Sequence, residues 1–123
     1  MPISDSEAVV MDVLWREHPL SAEDVVERLA SRTDWAEPTI KTLLNRLLKK
    51  GAVRAARDGR RYLYSPVLQR EAWVARESES VLDRLFGGRV APLVAHFSER
   101  GRLSPDDIAE LRRLVEELDD AAR

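Results

Sequence analysis

Cysteine is absent from this 123-residue chain, which excludes disulfides, thiolate metal sites and cysteine nucleophiles together. Histidine occurs only twice, at His18 and His96, and neither residue belongs to an HExxH-type pair. The five glycines form neither a phosphate-binding loop nor a nucleophile elbow. We therefore expect that the protein is not an enzyme and that it holds no cofactor or metal ion.

Long apolar runs are also missing, since the longest extend over only a few residues. A helix that spans a bilayer needs roughly 20 apolar residues. The N-terminal stretch MPISDSEAVV is acidic and lacks the basic start of a signal peptide. We expect a cytoplasmic protein without membrane insertion.

Charge is sorted along the chain although the net charge is only −2. Residues 38–66 carry eight lysines and arginines against one acid, a net +7. Residues 1–37 have three basic and nine acidic side chains, and residues 67–123 have nine and twelve, giving net charges of −6 and −3. Such segregation favours a polyanionic partner for the central segment. The length suits one domain, or a small domain plus an association element.

Two short helices are predicted before the basic segment. Ser4 and Glu7 have the spacing of a capping box, and Pro19 ends the helix that follows. Ser21 is a second cap, for a helix over residues 22–30. The three tryptophans are predicted to be core residues or anchors: Trp15, Trp35 and Trp73.

The basic segment itself predicts one helix and one hairpin. Pro38 suits a first helical position, and Gly51 is a typical residue just beyond a helix end. Strands over residues 52–57 and 60–65 follow, joined by Asp58-Gly59, a strong signal for a two-residue hairpin loop. Three short helices followed by a hairpin form the pattern of a winged helix-turn-helix, here over residues 1–67.

The remaining segment, residues 68–123, predicts a small helical dimerisation domain, so that the fold class is mainly α. Helices are expected over residues 68–86, from Pro92 to Gly101, and from the cap Ser104 onward. The last helix has the apolar spacing of a coiled-coil seam. The simplest way to bury this seam is self-association into a two-fold dimer. The predicted dimer interface comprises Val81, Leu85, Phe86, Phe97, Ile108, Leu111, Val115 and Leu118.

The third helix separates into an apolar and a polar face at about 100° per residue. The apolar face, predicted to be core, comprises Ile40, Leu43, Leu44, Leu47 and Leu48. The opposite face has residue types that read base edges in DNA: Thr39, Lys41, Thr42, Asn45 and Arg46. Phosphate contacts are predicted for the helix end and the hairpin tip: Lys49, Lys50, Arg57, Arg60 and Arg61.

Two other interpretations of these residues stay open at this point. Basic residues at a helix C-terminus also complement the helix dipole, and exposed arginines are ordinary on a surface. The alternating Tyr62 and Tyr64 are expected to pack against the third helix rather than stack on bases. A winged helix can also serve as a protein–protein interaction module, although such a module has no need for a polar and basic face on the third helix.

Several motifs of this chain match one family over nearly the whole length. These are SEAVVM at residues 6–11, LW at residues 14–15, PTIKTLLNRL at residues 38–47, KG at residues 50–51 and YLYSP at residues 62–66. By these motifs the chain resembles the BlaI/MecI/CopY family of penicillinase-type repressors. The resemblance implies a homodimer that binds a dyad-symmetric double-stranded DNA operator and blocks transcription. It also implies DNA contacts at Thr39, Lys41, Thr42 and Arg46.

The resemblance has two departures. Copper-responsive members carry a C-terminal cysteine hook, which a chain without cysteine cannot form. Antibiotic-responsive members are inactivated by proteolysis at an Asn-Phe bond, with a membrane sensor protease as the implied partner. The matching dipeptide here is His96-Phe97, in which the asparagine is replaced. The residues alone indicate instead that Phe97 is a dimer-core residue.

Overall fold

The computed structural model describes residues 2–122. Helices α1 (Asp5–Arg16), α2 (Ala22–Leu29) and α3 (Glu37–Lys50) precede strands β1 (Val53–Asp58) and β2 (Arg61–Pro66). Helices α4 (Arg70–Phe86), α5 (Val90–Glu99) and α6 (Pro105–Ala121) follow. The described chain divides into two compact units, an N-terminal unit that extends to Ala75 and a C-terminal unit that begins at Arg76.

The helix starts follow the capping signals of the sequence. Ser4, Ser21 and Ser104 each accept a hydrogen bond from the backbone N–H three residues on, and the acid at that position closes a capping box. For α3 the cap residue is Ala36, which has no side-chain hydrogen bond, and Pro38 lies one position later than the sequence predicts. Gly51 ends α3 with a left-handed φ of 77°.

The hairpin is antiparallel, and its register differs by one step from the prediction. Asp58 pairs with Arg61, so that the two loop residues are Gly59 and Arg60 rather than Asp58 and Gly59. Gly59 has a φ of 64°, and no non-glycine residue among those described has a positive φ. A positive φ at the first loop position alone is the arrangement of a type II′ turn, which requires glycine there.

The core of the N-terminal unit lies among α1, α2, α3 and the start of β1. Its fully buried side chains include Met11, Leu14, Leu29 and Leu44. Leu48, which the helical period assigns to this core, is 38% exposed, because it lies at the edge of the buried face in the last turn of α3.

Two further contacts complete the N-terminal unit. Leu20 and Tyr64 exchange backbone hydrogen bonds of 3.1 and 2.7 Å, which brings the start of α2 beside β2. Trp15 donates its indole N–H to the Leu68 carbonyl at 2.8 Å and packs on Trp73 with ring centroids 5.4 Å apart. The N-terminal unit therefore extends beyond residue 67, where the composition changes, and includes the first turns of α4. This architecture confirms the winged helix-turn-helix prediction.

Candidate nucleic-acid interface

Helix α3 presents one buried and one exposed face, as its sequence predicts. Ile40, Leu43, Leu44 and Leu47 are at most 5% exposed and hold the helix against the core. The polar residues opposite are exposed: Thr39, Thr42, Asn45, Arg46 and Lys49. Because the apolar face is rigidly packed, the exposed face is displayed on a stable support.

A shallow groove runs along the first turns of this exposed face. Pro38, Thr39, Thr42, Leu43 and Arg46 line it. Hydroxyl groups, a guanidinium and apolar carbon atoms are thus adjacent, which is the chemistry that contacts base edges and thymine methyl groups.

The basic side chains near this face differ in how their charges are compensated. No ion pair within residues 2–122 involves Arg46, Lys49, Arg57 or Arg60. An exposed cation without a protein counter-ion can take up a phosphate at no cost in broken ion pairs. These four residues therefore contribute uncompensated positive charge to this surface.

Lys41 is placed differently from the other predicted base-reading residues. It is only partly exposed, and its ammonium lies 3.4 Å from Glu37 and 3.8 Å from Glu23. Glu37 precedes it by four residues on α3, whereas Glu23 reaches it from the first turn of α2. Lys41 is thus held between two carboxylates.

Lys50 turns away from the exposed face and into the N-terminal unit. Its ammonium donates a hydrogen bond of 2.5 Å to Oε1 of Glu7, a residue that is only 1% exposed. The same Glu7 oxygen accepts from the Ser4 N–H at 2.8 Å. One buried carboxylate therefore joins the start of α1 to the end of α3.

The Glu7 carboxyl is ionised because its partners outweigh its burial. Burial raises the pKa of Glu7, but the hydrogen bonds from Lys50 and Ser4 and the charge of Lys50 lower it below the ordinary value of 4.5. Glu7 was predicted only as a capping residue. No local signal points to Lys50, because the two residues are 43 positions apart.

The wing, which consists of β1, β2 and the loop between them, carries its three predicted arginines near that loop. Arg57 donates to the Gly59 carbonyl at 3.2 Å, and Arg61 lies 3.4 Å from Asp58. Arg60 is exposed in the loop itself. Tyr64 packs against the core of the N-terminal unit, whereas Tyr62 on the same strand is 51% exposed. The packing of the two tyrosines against α3 stays a prediction.

The first turn of α2 contributes acids that the sequence explained only by helix capping. Hydrogen bonds hold the pKa of Asp24 below its ordinary value, first the one from the Ser21 backbone N–H and second the one with the Ser21 hydroxyl. The charges of Arg28 and Arg61 lower this pKa further. Glu23 lies beside Asp24 and reaches Lys41. Acidic side chains of α2 therefore lie close to Lys41 of α3 and near enough to Arg61 of β2 for its charge to act on Asp24.

The residues predicted for association all belong to the C-terminal unit, where many apolar side chains are exposed. Leu118 is 70% and Leu85 is 66% exposed, and Phe97, Ile108 and Val115 are also exposed. The other three are partly covered: Val81, Phe86 and Leu111. His96 and Phe97 are exposed neighbours within α5, with ring centroids 5.3 Å apart.

Metal-binding clusters and membrane-spanning helices are both absent from the described part of the chain. No group of three or more histidine, cysteine and acidic side chains that could hold a metal ion occurs within residues 2–122. None of the helices in that range combines the length and apolar character needed to cross a membrane.

Known proteins resemble this chain in sequence and in structure. A penicillinase repressor of Bacillus licheniformis is 35% identical over 115 residues, which cover 94% of this chain and 90% of that protein. The methicillin resistance regulatory protein MecI of Mammaliicoccus sciuri is 31% identical over 113 residues, or 92% of each chain.

A solution structure of the Bacillus licheniformis BlaI monomeric form in complex with the blaP half-operator is also similar. It is 35% identical, has a TM-score of 0.52, and covers 58% of this chain and 88% of that one. The family model described as penicillinase repressor matches residues 3–117. By this match and by the extent of the sequence identity, the chain belongs to the penicillinase repressor family.

Proposed function

We propose that this protein is a homodimeric transcriptional repressor that binds a dyad-symmetric DNA operator through α3 and the wing. One observation carries the proposal: the apolar face of α3 is buried while its opposite face exposes hydroxyl, amide and basic groups. The family is one of transcriptional repressors and not of enzymes, which confirms the prediction that the chain is not an enzyme.

In this proposal α3 lies in the major groove and its exposed side chains read bases. Arg46 suits bidentate contact with guanine, Asn45 suits adenine, and the methyl groups of Thr39 and Thr42 suit thymine. Lys41 completes the set by donating to guanine acceptors once it leaves its carboxylate partners.

Phosphate contacts are proposed for four basic residues at the edges of this surface, of which Arg61 is paired with the exposed Asp58. Lys49 lies at the end of α3, and Arg57, Arg60 and Arg61 surround the hairpin loop. The ion pair with Glu7 removes Lys50 from this proposed set, because a phosphate would have to replace a buried carboxylate. Lys50 instead supports the end of the reading helix.

The complex of BlaI with the blaP half-operator supports DNA as the partner of the N-terminal unit, since that BlaI chain is 35% identical to this one. The proposed operator is double-stranded and, for a two-fold dimer, contains two half-sites about one helical turn, roughly 34–36 Å, or a multiple of it apart. A DNA operator also implies a cytoplasmic location.

The homodimer is proposed on the exposed apolar side chains of the C-terminal unit. On α6, Ile108, Leu111, Val115 and Leu118 recur at spacings of three and four residues, the pattern of a helix–helix seam. The proposed interface adds α4 and α5 residues: Val81, Leu85, Phe86 and Phe97. A second copy with the same seam would remove these surfaces from water.

The bond between His96 and Phe97 is the proposed site at which a membrane sensor protease would inactivate the repressor. Both residues lie inside α5, and proteases bind substrates in extended conformation, so cleavage requires local unfolding of this helix. Helix α5 has ten residues and no side-chain cap at Arg89, which favours such opening. Incubation with the sensor, followed by mass spectrometry of the fragments, tests whether the chain is cleaved between His96 and Phe97. An intact chain, or cleavage at another bond, contradicts the proposed site.

Binding to DNA from the protein's own upstream region, titrated at several salt concentrations, tests the function. A repressor that neutralises several phosphates loses affinity with a log–log slope of about −0.9 per phosphate. The interaction-module alternative predicts instead no footprint and no dependence on salt.

A further inference from the structure

On the proposed DNA-binding surface, Lys41 pairs with acids from two different helices. Its ammonium lies 3.4 Å from Oε1 of Glu37 and 3.8 Å from Oε1 of Glu23. Glu37 is four residues away on α3, and Glu23 is 18 residues away on α2. The tertiary structure thus brings a second carboxylate to a cation that already has one.

Fold stability does not account for this arrangement. All three side chains are exposed by 44% or more, and exposed ion pairs contribute little to folding because water screens them. Favourable interaction with helix dipoles explains why acids occupy the first turns of α2 and α3. It does not explain why both carboxylates meet at a side chain on the face that we propose contacts DNA.

We propose that Glu23 and Glu37 are specificity-determining residues that restrain Lys41 during non-specific contact and release it only at operator bases. The inference rests on the proposed function, because it assumes that the exposed face of α3 enters the major groove. It adds that two acids, neither of which touches a base, set the preference for operator over other DNA.

The restraint works by competition between acceptors. Non-specific binding is almost entirely contact between basic side chains and phosphates. A single phosphate near Lys41 competes with two carboxylates that are already in place, and it is repelled by both. An operator guanine offers two acceptors, O6 and N7, in a groove that neighbouring contacts have already positioned. The acids therefore weaken non-specific complexes more than the operator complex.

The size of the effect follows from the distances. A phosphate bound at the Lys41 ammonium would lie about 6 Å from each carboxylate, where Coulomb repulsion in water changes an equilibrium constant about threefold. Two carboxylates together reduce non-specific affinity about tenfold. Replacing both acids should raise the affinity for non-operator DNA by that factor and for the operator by less than about threefold.

The experiment compares two labelled duplexes by fluorescence anisotropy, using the full chain. One duplex is the segment that the protein protects in its own upstream region, and the other is a scrambled duplex of equal length. The variants are the double substitution Glu23→Gln with Glu37→Gln and the control Glu27→Gln. Glu27 lies on α2 as well, but its partner is Arg28 at 4.0 Å. Circular dichroism confirms that each variant is folded.

The double variant should lose at least about threefold in its operator-to-scrambled affinity ratio, as the repulsion estimate requires. Its salt slope on scrambled DNA should steepen by about 0.9, the contribution of one additional phosphate. The control should leave both quantities unchanged. When Lys41→Gln is added to the double variant, the extra slope should disappear, because the effect acts through that ammonium.

Three results overturn the inference while leaving the proposed function intact. Equal gains on both duplexes would mean that the acids act only through net charge, and no gain on either would mean that they do not restrain Lys41. If the increase in salt slope on scrambled DNA persists after Lys41→Gln is added, the effect belongs to another cation. A wild-type chain that binds both duplexes equally refutes the proposed function itself, and the inference with it, so that the two failures are distinguishable.

Discussion

Replacing Lys50 by methionine removes the cation that compensates the buried Glu7 carboxylate while keeping a side chain of similar length. The wild-type ammonium donates to Oε1 of Glu7, which otherwise accepts only from the Ser4 N–H. In the variant the carboxylate stays inside the N-terminal unit with its charge unpaired. We expect this substitution to destabilise the fold although Lys50 lies on the surface.

The magnitude follows from the burial of the two partners. Breaking a fully buried ion pair costs about 3–5 kcal/mol. Here the Glu7 side chain is 2% exposed but that of Lys50 is 38% exposed, so that water reaches part of the pair. We therefore expect a loss of about 2 kcal/mol in the free energy of unfolding at pH 7. For a domain of this size that corresponds to a fall of about 10 °C in Tm.

The loss should depend on pH, and its sign follows from the pKa of Glu7. The folded pKa lies below 4.5, so the stability that the ionised carboxyl contributes is present above pH 4.5 and lost as pH falls through the folded value. Without Lys50, the hydrogen bond and the charge that it contributes no longer lower the pKa of Glu7, so this pKa rises. The difference between wild type and variant should thus be largest near neutral pH and shrink below pH 4.5.

Urea unfolding followed by circular dichroism at pH 7 and pH 4 measures this difference. Lys49→Met is the matched control, since Lys49 is the adjacent exposed residue of α3 and should change stability by less than about 0.5 kcal/mol. In a double-mutant cycle, Glu7→Gln should recover part of the loss. A Lys50→Met variant as stable as the Lys49 control, or equally destabilised at both pH values, would refute the reasoning.

Two further predictions concern the interface and the dimer. Arg46→Ala should cost about 1–3 kcal/mol on the operator and relax sequence preference, if the guanidinium makes a bidentate base contact, whereas Lys49→Ala should weaken operator and scrambled DNA alike. Identical behaviour of the two variants in anisotropy titrations would remove the distinction between reading and positioning residues. Leu111→Asp combined with Leu118→Asp should yield monomers by light scattering and weaken operator binding, because two charges would enter the seam; an unchanged dimer would place the interface elsewhere.

Features determined by short stretches of sequence were predictable. The capping boxes at Ser4, Ser21 and Ser104 define where three helices begin, because each depends on only four consecutive residues. Gly51 defines the end of α3 for the same reason. The buried and exposed faces of α3 follow from the helical period, and with the hairpin they suffice to predict the winged helix.

Features determined by tertiary contacts were not predictable. Lys50 has the same local context as Lys49, and only the approach of Glu7 from α1 distinguishes them. Likewise Leu48 fits the apolar period of α3 but lies where the core ends. The approach of Glu23 to Lys41 depends on how α2 packs beside α3. In each case the deciding partner lies many residues away in the sequence.

The most direct test of the central claim is a footprint of the purified protein on the DNA upstream of its own coding sequence. A two-fold dimer should protect two half-sites related by a dyad, with centres about one helical turn or a multiple of it apart. Protection should weaken steeply as salt increases. The absence of any protected segment at low salt, or protection that extends evenly without half-sites, would contradict it.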